Sequence, residues 1–501
     1  MSTLIQGTET LTRDALAVLQ PGFGGLTPPD WVLRRLDEGL TGVGLFGRNV
    51  RDPEQVAALT ARLRAVRPDV LVAMDEEGGD VTRLEVRTGS SFPGNLALGA
   101  VDDAALTRSV ARELGRRLAE CGVNMNWAPS ADVNSNPDNP VIGVRSFGAD
   151  PGLVARHTAA YIAGLHEAGV VACTKHFPGH GDTATDSHHA LPHIDAPLPV
   201  LLERELVPFR AAIEAGTKVV MSAHIVLTAL DPALPATLSR RVMTGLLRAP
   251  AAEGGLGFDG VISTDALEMQ AIASTYGMAR GAVMALAAGA DALCLGFHAD
   301  DALVDSLRDA IVAAVRSGEL GEERLAEAAG RVRALAAWAS AGGGAVEGAA
   351  SPNPSVGLVA ARRALRVTGG GSFVPLTAAP YVLSFTPVAN MAAGDETPWG
   401  LGPELARLLP GTTTAYAGPD TPAGEVAAAA AGRPLVAVVR DVHRHAWMAS
   451  ALSSLLAERP DAVVVEMGVP QAPPSGAPHI ATHGASRVCG QAAAEYIAGV
   501  A

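Results

Sequence analysis

Cysteine is scarce in this chain of 501 residues: four occur, at positions 121, 173, 294 and 489. None stands in CxxC spacing, and Cys173 and Cys294 lie inside apolar runs, so neither a disulfide framework nor a CxxC zinc or redox centre is expected. Basic side chains are also in the minority, 38 against 52 acidic, for a formal charge of −14. That sign works against nucleic-acid phosphates and anionic membrane surfaces as partners. No run of about 18 or more apolar residues that could span a bilayer is present. The first 25 residues lack the basic stretch and apolar core of a secretion signal, and the expected location is the cytoplasm. A GxGxxG turn is missing too, which argues against a doubly wound dinucleotide-binding sheet.

What the chain does have is 48% apolar residues and 55 glycines, the composition of a globular α/β protein. Its length exceeds what one core usually supports, so two domains are expected. Eight short apolar runs recur in the first 300 residues: LAVLQP (16–21), VGLF (43–46), VLVAM (70–74), VNMNW (123–127), VVACT (170–174), KVVMS (218–222), GVIST (260–264) and DALCL (291–295). Amphipathic stretches such as DPEQVAALTARLRAV lie between them. Strands alternating with helices pair in parallel, and eight such units predict a TIM-type (β/α)8 barrel.

Barrels of this kind place their chemistry at the carboxyl ends of the strands. Asp75, Asn126 and Trp127, Lys175 and His176, His224, and Asp265 all fall there. A Gly-, Ala-, Ser- and Pro-rich stretch around 340–357 reads as linker chemistry. It divides a catalytic barrel (1–340) from a linker (341–360) and a smaller α/β sandwich domain (361–501), whose strands include RPLVAVVRD, DAVVVEMG and PHIAT. That second domain offers no evident catalytic cluster, and DVHRH (441–445) reads as a solvated loop.

The densest chemistry is CTKHFPGHGDTATDSHHALPH (173–193), with five of the thirteen histidines. His176 and His180 stand four apart, but Pro178 and Gly179 between them preclude the regular helix that paired metal-ligating histidines use. No metal and no cofactor is expected. Asp186 and His188 are two apart, on one side of an extended segment, where the carboxylate can orient the imidazole and raise its proton affinity. That pair suits a general acid/base. Asp265, at the end of the seventh strand, is the candidate nucleophile; its plainer reading is a helix N-cap.

At these residues the chain resembles glycoside hydrolase family 3, in its bacterial β-N-acetylglucosaminidase branch. The resemblance rests on KHFPGHGDTATDSHHALP (175–192), supported in order by PGFGG, GVGLFGRNV, MDEEGG, VIGVRSFG, MSAHI, PATLS and STDALEM. It covers residues 15 to 340 or so. It implies a retaining mechanism in which Asp265 is the nucleophile and His188 with Asp186 the acid/base. Asp75, Arg83, Arg145, Lys175 and His176 would hold one terminal sugar, and His224 would touch it or support the residues that do. The implied substrate is a small carbohydrate ending in β-linked N-acetylglucosamine. A histidine base does not repel anions, so phosphate in place of water as acceptor is the alternative, as in a family 3 phosphorylase. The second domain is then free to pack, to dimerise or to wall the cleft. One departure stands out: where the branch has arginine in EGGRV, this chain has Asp80. An acid there suits an amino-bearing sugar, or answers a change elsewhere in the chain.

Overall fold

The computed structural model describes residues 2–183, 191–345, 352–387, 394, 396–419, 421, 430 and 432–500. Eight parallel strands form a ring: β1 (Leu19–Gln20), β2 (Gly42–Leu45), β3 (Leu71–Met74), β4 (Met125–Asn126), β5 (Val171–Phe177), β6 (Val219–Ser222), β7 (Val261–Thr264) and β8 (Leu293–Cys294). Strands β2 to β7 are hydrogen-bonded in sequence. The ring closes through the β1–β8 pair and through single bridges from Gly22 to Gly44 and from Ser263 to Ala292. Each of the eight apolar runs is thus a strand of the expected barrel.

Side-chain alternation explains why the runs are continuously apolar. Leu71 and Ala73, Met125 and Trp127, Val171 and Cys173, Val219 and Met221 point into the lumen and pack into one cluster with Val261, Ala292 and Cys294. The alternate residues, Val72, Met74, Ala172, Val220 and Ile262, face the surrounding helices. Helix Glu322–Ser340 adds Val332, Leu335, Ala336 and Ala339 to the lumen cluster. Its Trp338 lies beside His166, in the last turn of the helix before β5, and under Lys218, just before β6, so this helix closes the amino end of the barrel. Several barrel helices begin at an aspartate whose carboxylate accepts a first-turn N–H, as Asp52 does from Gln55 (2.7 Å) and Asp300 from Leu303 (2.8 Å). All four cysteines are buried free thiols.

Within the stretch expected as linker, helix Val356–Ala364 begins. It lies close against the barrel: a carbon added to Gly357 would stand 2.0 Å from the Ser91 carbonyl oxygen. Beyond it comes a six-stranded sheet of β9 (Arg366–Thr368), β10 (Tyr381–Phe385), β11 (Thr413–Ala417), β12 (Leu435–Val439), β13 (Val463–Glu466) and β14 (His479–Ala481). Its order is β9-β14-β13-β12-β10-β11, and β9 alone runs antiparallel. Val436, Val438, Val463 and Val465 pack on helices Gly402–Leu408 and Arg487–Ala498. Leu435, Ala437, Val439 and Val464 pack on helix Ala446–Glu458. With helices on both faces, this is the expected α/β sandwich.

The sandwich docks with the carboxyl ends of its strands toward the barrel mouth. Arg440, after β12, pairs with Asp80, and Asp80 Oδ1 accepts the Ala485 N–H (2.8 Å). His443 Nε2 donates to the Pro137 carbonyl (2.9 Å), and Arg487 reaches Ser91 Oγ (2.6 Å). The DVHRH turn is therefore a docking element and not a solvated loop.

Candidate active site

At the carboxyl ends of the barrel strands lies a cavity of about 560 Å³, a size suited to a small ligand. Asp75, Arg83, Arg145, Lys175, His176 and Asp265 all line it. The loop after β3 turns back at Gly78 and Gly79, with φ of 76° and 64°. A carbon on Gly79 would lie 2.5 Å from Gly94 Cα, so glycine is required there. Inside that turn Glu76 braces the loop, its Oε2 accepting N–H bonds from Arg83 (2.8 Å) and Leu84 (2.9 Å). Burial pushes its carboxyl up to about 7.

Glu77 does the opposite. It is 4% exposed at its side chain and grips Arg145 through two parallel bonds, Nε to Oε2 (3.0 Å) and Nη2 to Oε1 (2.8 Å). Lys175 Nζ lies 2.7 Å from Glu77 Oε1 and 2.6 Å from Asp75 Oδ1. Burial alone would raise the Glu77 pKa, but the two cations hold it well below the usual carboxylate range. Burial likewise works against the Lys175 and Arg145 charges, and the neighbouring carboxylates more than offset it, raising both pKa values. Asp75 is the member of this chain that opens to the cavity, at 21% side-chain exposure.

The chain of charges continues through His176. Its Nε2 lies 3.3 Å from Arg145 Nη2 and its Nδ1 2.7 Å from Asp132 Oδ2. Because a guanidinium can only donate, this geometry puts the ring hydrogen on Nδ1. Asp132 is fully buried and also accepts Ser130 Oγ (2.8 Å) and the His180 N–H (2.7 Å). Burial would raise its pKa, yet His176 holds it far down. His180 is itself pushed down to about 4, chiefly by burial, so it stands neutral at ordinary pH. Among the described residues no group of three or more His, Cys, Asp or Glu is placed to hold a metal ion.

Asp265 follows β7. Its N–H donates to the Ser222 carbonyl (3.1 Å), and its Oδ1 accepts the Ala266 N–H (2.8 Å). The helix beyond begins at Gln270 with Met269 in the cap position, so Asp265 is not that helix's N-cap. His224 is fully buried; its Nε2 donates to the Ala266 carbonyl (3.0 Å) and its Nδ1 meets Thr237 Oγ1 (2.8 Å). It steadies the turn that carries Asp265 and does not line the cavity.

Asp186 and His188 lie outside the described residues. The described chain on either side is anchored: Asp182 pairs with Arg204 (2.5 Å), and beyond, the Pro192 carbonyl accepts the Val226 N–H (2.9 Å). Asp80 is matched by partners in the second domain. Its side chain is 4% exposed and meets Arg440, which lies over the Trp399 ring at 5.8 Å. It faces the sandwich domain and not the cavity. Sequence reasoning passed over Glu77 and Asp132, whose partners are 68 and 44 residues away. Their positions just past β3 and β4 were the available signal.

Residues 34–335 match the Glycosyl hydrolase family 3 N terminal domain. The chain belongs to glycosyl hydrolase family 3. It is therefore a glycoside hydrolase. A family 3 β-N-acetylglucosaminidase structure from Paenibacillus sp. str. FPU-7 is 33% identical and superposes with a TM-score of 0.87, over 98% of this chain and 97% of that one. Beta-hexosaminidase A of Pseudoalteromonas piscicida is 34% identical over 349 residues, 64% of this chain and 56% of that protein's length. A Beta-hexosaminidase of Chromobacterium violaceum is 37% identical over 302 residues, 58% of this chain and 81% of its own.

Proposed function

We propose that this family 3 member is a retaining exo-β-N-acetylglucosaminidase, releasing terminal N-acetylglucosamine from cell-wall or chitin-derived oligosaccharides. The observation that carries the reading is the single cavity in which Asp265 shares walls with Asp75, Arg83, Arg145, Lys175 and His176. The similarity to a β-N-acetylglucosaminidase along nearly the whole chain supports the choice of sugar. In this reading Asp75 accepts bonds from two adjacent hydroxyls of the terminal sugar. Lys175 and Arg145, kept charged by Glu77, donate to its oxygens.

Asp265 then attacks C1 while His188, oriented by Asp186, gives its proton to the glycosidic oxygen, and the leaving sugar departs as an alcohol. His188, now neutral, takes a proton from water, whose oxygen attacks C1 and frees Asp265. Four buried free thiols support the cytoplasm, a reducing compartment, as the place of work.

The test is turnover of an aryl β-N-acetylglucosaminide after exhaustive chelation, in wild type and in Asp265→Ala. The wild type is expected to be active, with free sugar as product whether or not phosphate is added. The variant is expected to lose about a thousandfold or more in kcat, as for removal of a covalent nucleophile. Unimpaired turnover by the variant would overturn the assignment of Asp265; sugar 1-phosphate as product would make the enzyme a phosphorylase.

A further inference from the structure

The cavity has two ends of different character. Lys175, His176 and Arg145 at one end are buried. At the other, Arg48 and Glu396 line it and are exposed, so this end is the outlet. Arg48 comes from the barrel, just past β2, and Glu396 from the sandwich domain. The Arg48 guanidinium lies 4.3 Å above the Phe297 ring, and Phe297 meets Phe46 edge-on at 5.7 Å. That stacking keeps the cation at the rim. Glu396 arrives at the same place from across the domain boundary: a carbon added to Gly47 would stand 3.3 Å from Glu396 Oε2 and 3.4 Å from Val86 Cγ2. The outlet therefore carries a cation on the barrel side, seated on the Phe297 ring, and an anion on the sandwich side.

We infer that Glu396 selects the second sugar, favouring a neutral hydroxyl-bearing ring over one that carries a carboxylate. The inference rests on the hydrolase reading, which puts the terminal sugar at the buried end and the next one at the outlet. A carboxylate there accepts hydroxyl hydrogens from a neutral ring, whereas it repels a second carboxylate. Arg48 has the reverse preference, and while Glu396 is charged the two oppose each other. Neutralising Glu396 leaves the Arg48 field alone.

The experiment measures kcat/KM for two disaccharides with N-acetylglucosamine β-1,4-linked to N-acetylglucosamine or to N-acetylmuramic acid, using the whole chain. In Glu396→Gln the neutral-over-acidic ratio is expected to fall about fivefold, the scale of one rim charge, and the fall to shrink in roughly 1 M salt. Arg48→Gln is expected to move the ratio the other way. A general disturbance of the fold would lower both substrates together, so a ratio within twofold of wild type in Glu396→Gln overturns the inference. A wild-type chain that leaves the aryl glycoside untouched would instead overturn the hydrolase reading on which it stands.

Discussion

The barrel and the sandwich turn the carboxyl ends of parallel strands toward the same space, but they treat the acids gathered there differently. Glu77, three residues past β3, is buried against two cations and stays ionised. Glu466, the last residue of β13, is equally buried, but its partners are backbone N–H groups of Asp441 (2.9 Å), Val442 (3.4 Å) and Gly468 (2.7 Å). Burial and the nearby Asp441 carboxylate push its carboxyl up to about 7. An acid matched by cations holds other charges in place for a ligand; an acid matched by amides ties loops together. Both acids are buried near the carboxyl end of a strand, and the partner decides the use.

Removing the barrel acid should have the largest effect. Glu77→Gln leaves Lys175 and Arg145 buried with less than their full counter-charge, and is expected to destabilise the fold by about 3–5 kcal/mol. Turnover should fall by about a hundredfold or more, because both cations lining the cavity lose their orientation. Urea unfolding and aryl-glycoside kinetics check the two parts; a stable, active variant would break the contrast.

Dependence on pH sharpens it further, because the two acids have opposite signs. The folded-state pKa of Glu77 is depressed, so its contribution is full above the ordinary carboxylate value of 4.5 and is lost as pH falls. The pKa of Glu466 is raised, so between pH 4.5 and about 7 the folded chain keeps a proton that the unfolded chain has released. Stability therefore drops as pH rises through that window, by up to about 3 kcal/mol. Glu466→Gln should remove that slope, so that raising the pH from 4.5 to 8 costs the wild type more than the variant. Identical pH dependence in the two would show that Glu466 is ionised throughout.

The smallest of these effects is expected where the two regions meet. Arg440→Met deprives Asp80 of its cation but leaves it the Ala485 N–H, for a loss of about 2 kcal/mol, at the low end for a buried pair broken on one side. Thermal unfolding measures it. No loss at all would mean that the domains are held by Arg487, His443 and apolar packing, without help from the ion pair.

The barrel was legible because each of its strands is an apolar run bounded by polar residues, and because the strand-end rule gathers Asp75, Lys175, His176 and Asp265 at one mouth. Strands β9, β10 and β11 were not. Arg366–Thr368 and Thr413–Ala417 are outer strands with exposed, polar positions, so they lack the signal that buried runs carry. Tyr381–Phe385 is apolar enough, but its place in the sheet depends on β11 and β12 beside it. Asp80 was visible as an oddity, yet its meaning waited on a partner 360 residues away. Pairings at that range leave no local pattern to read.

Helix Glu322–Ser340 and the packed lumen stop the barrel at its amino end. At that end the cavity is blind, so whatever enters leaves again from the mouth side. In the proposed reaction the leaving sugar has to vacate the outlet before the hydrolysed unit behind it can follow. Product departure is thereby ordered, and the last product out, being the one that fills the recess, is the natural competitive inhibitor of the next encounter.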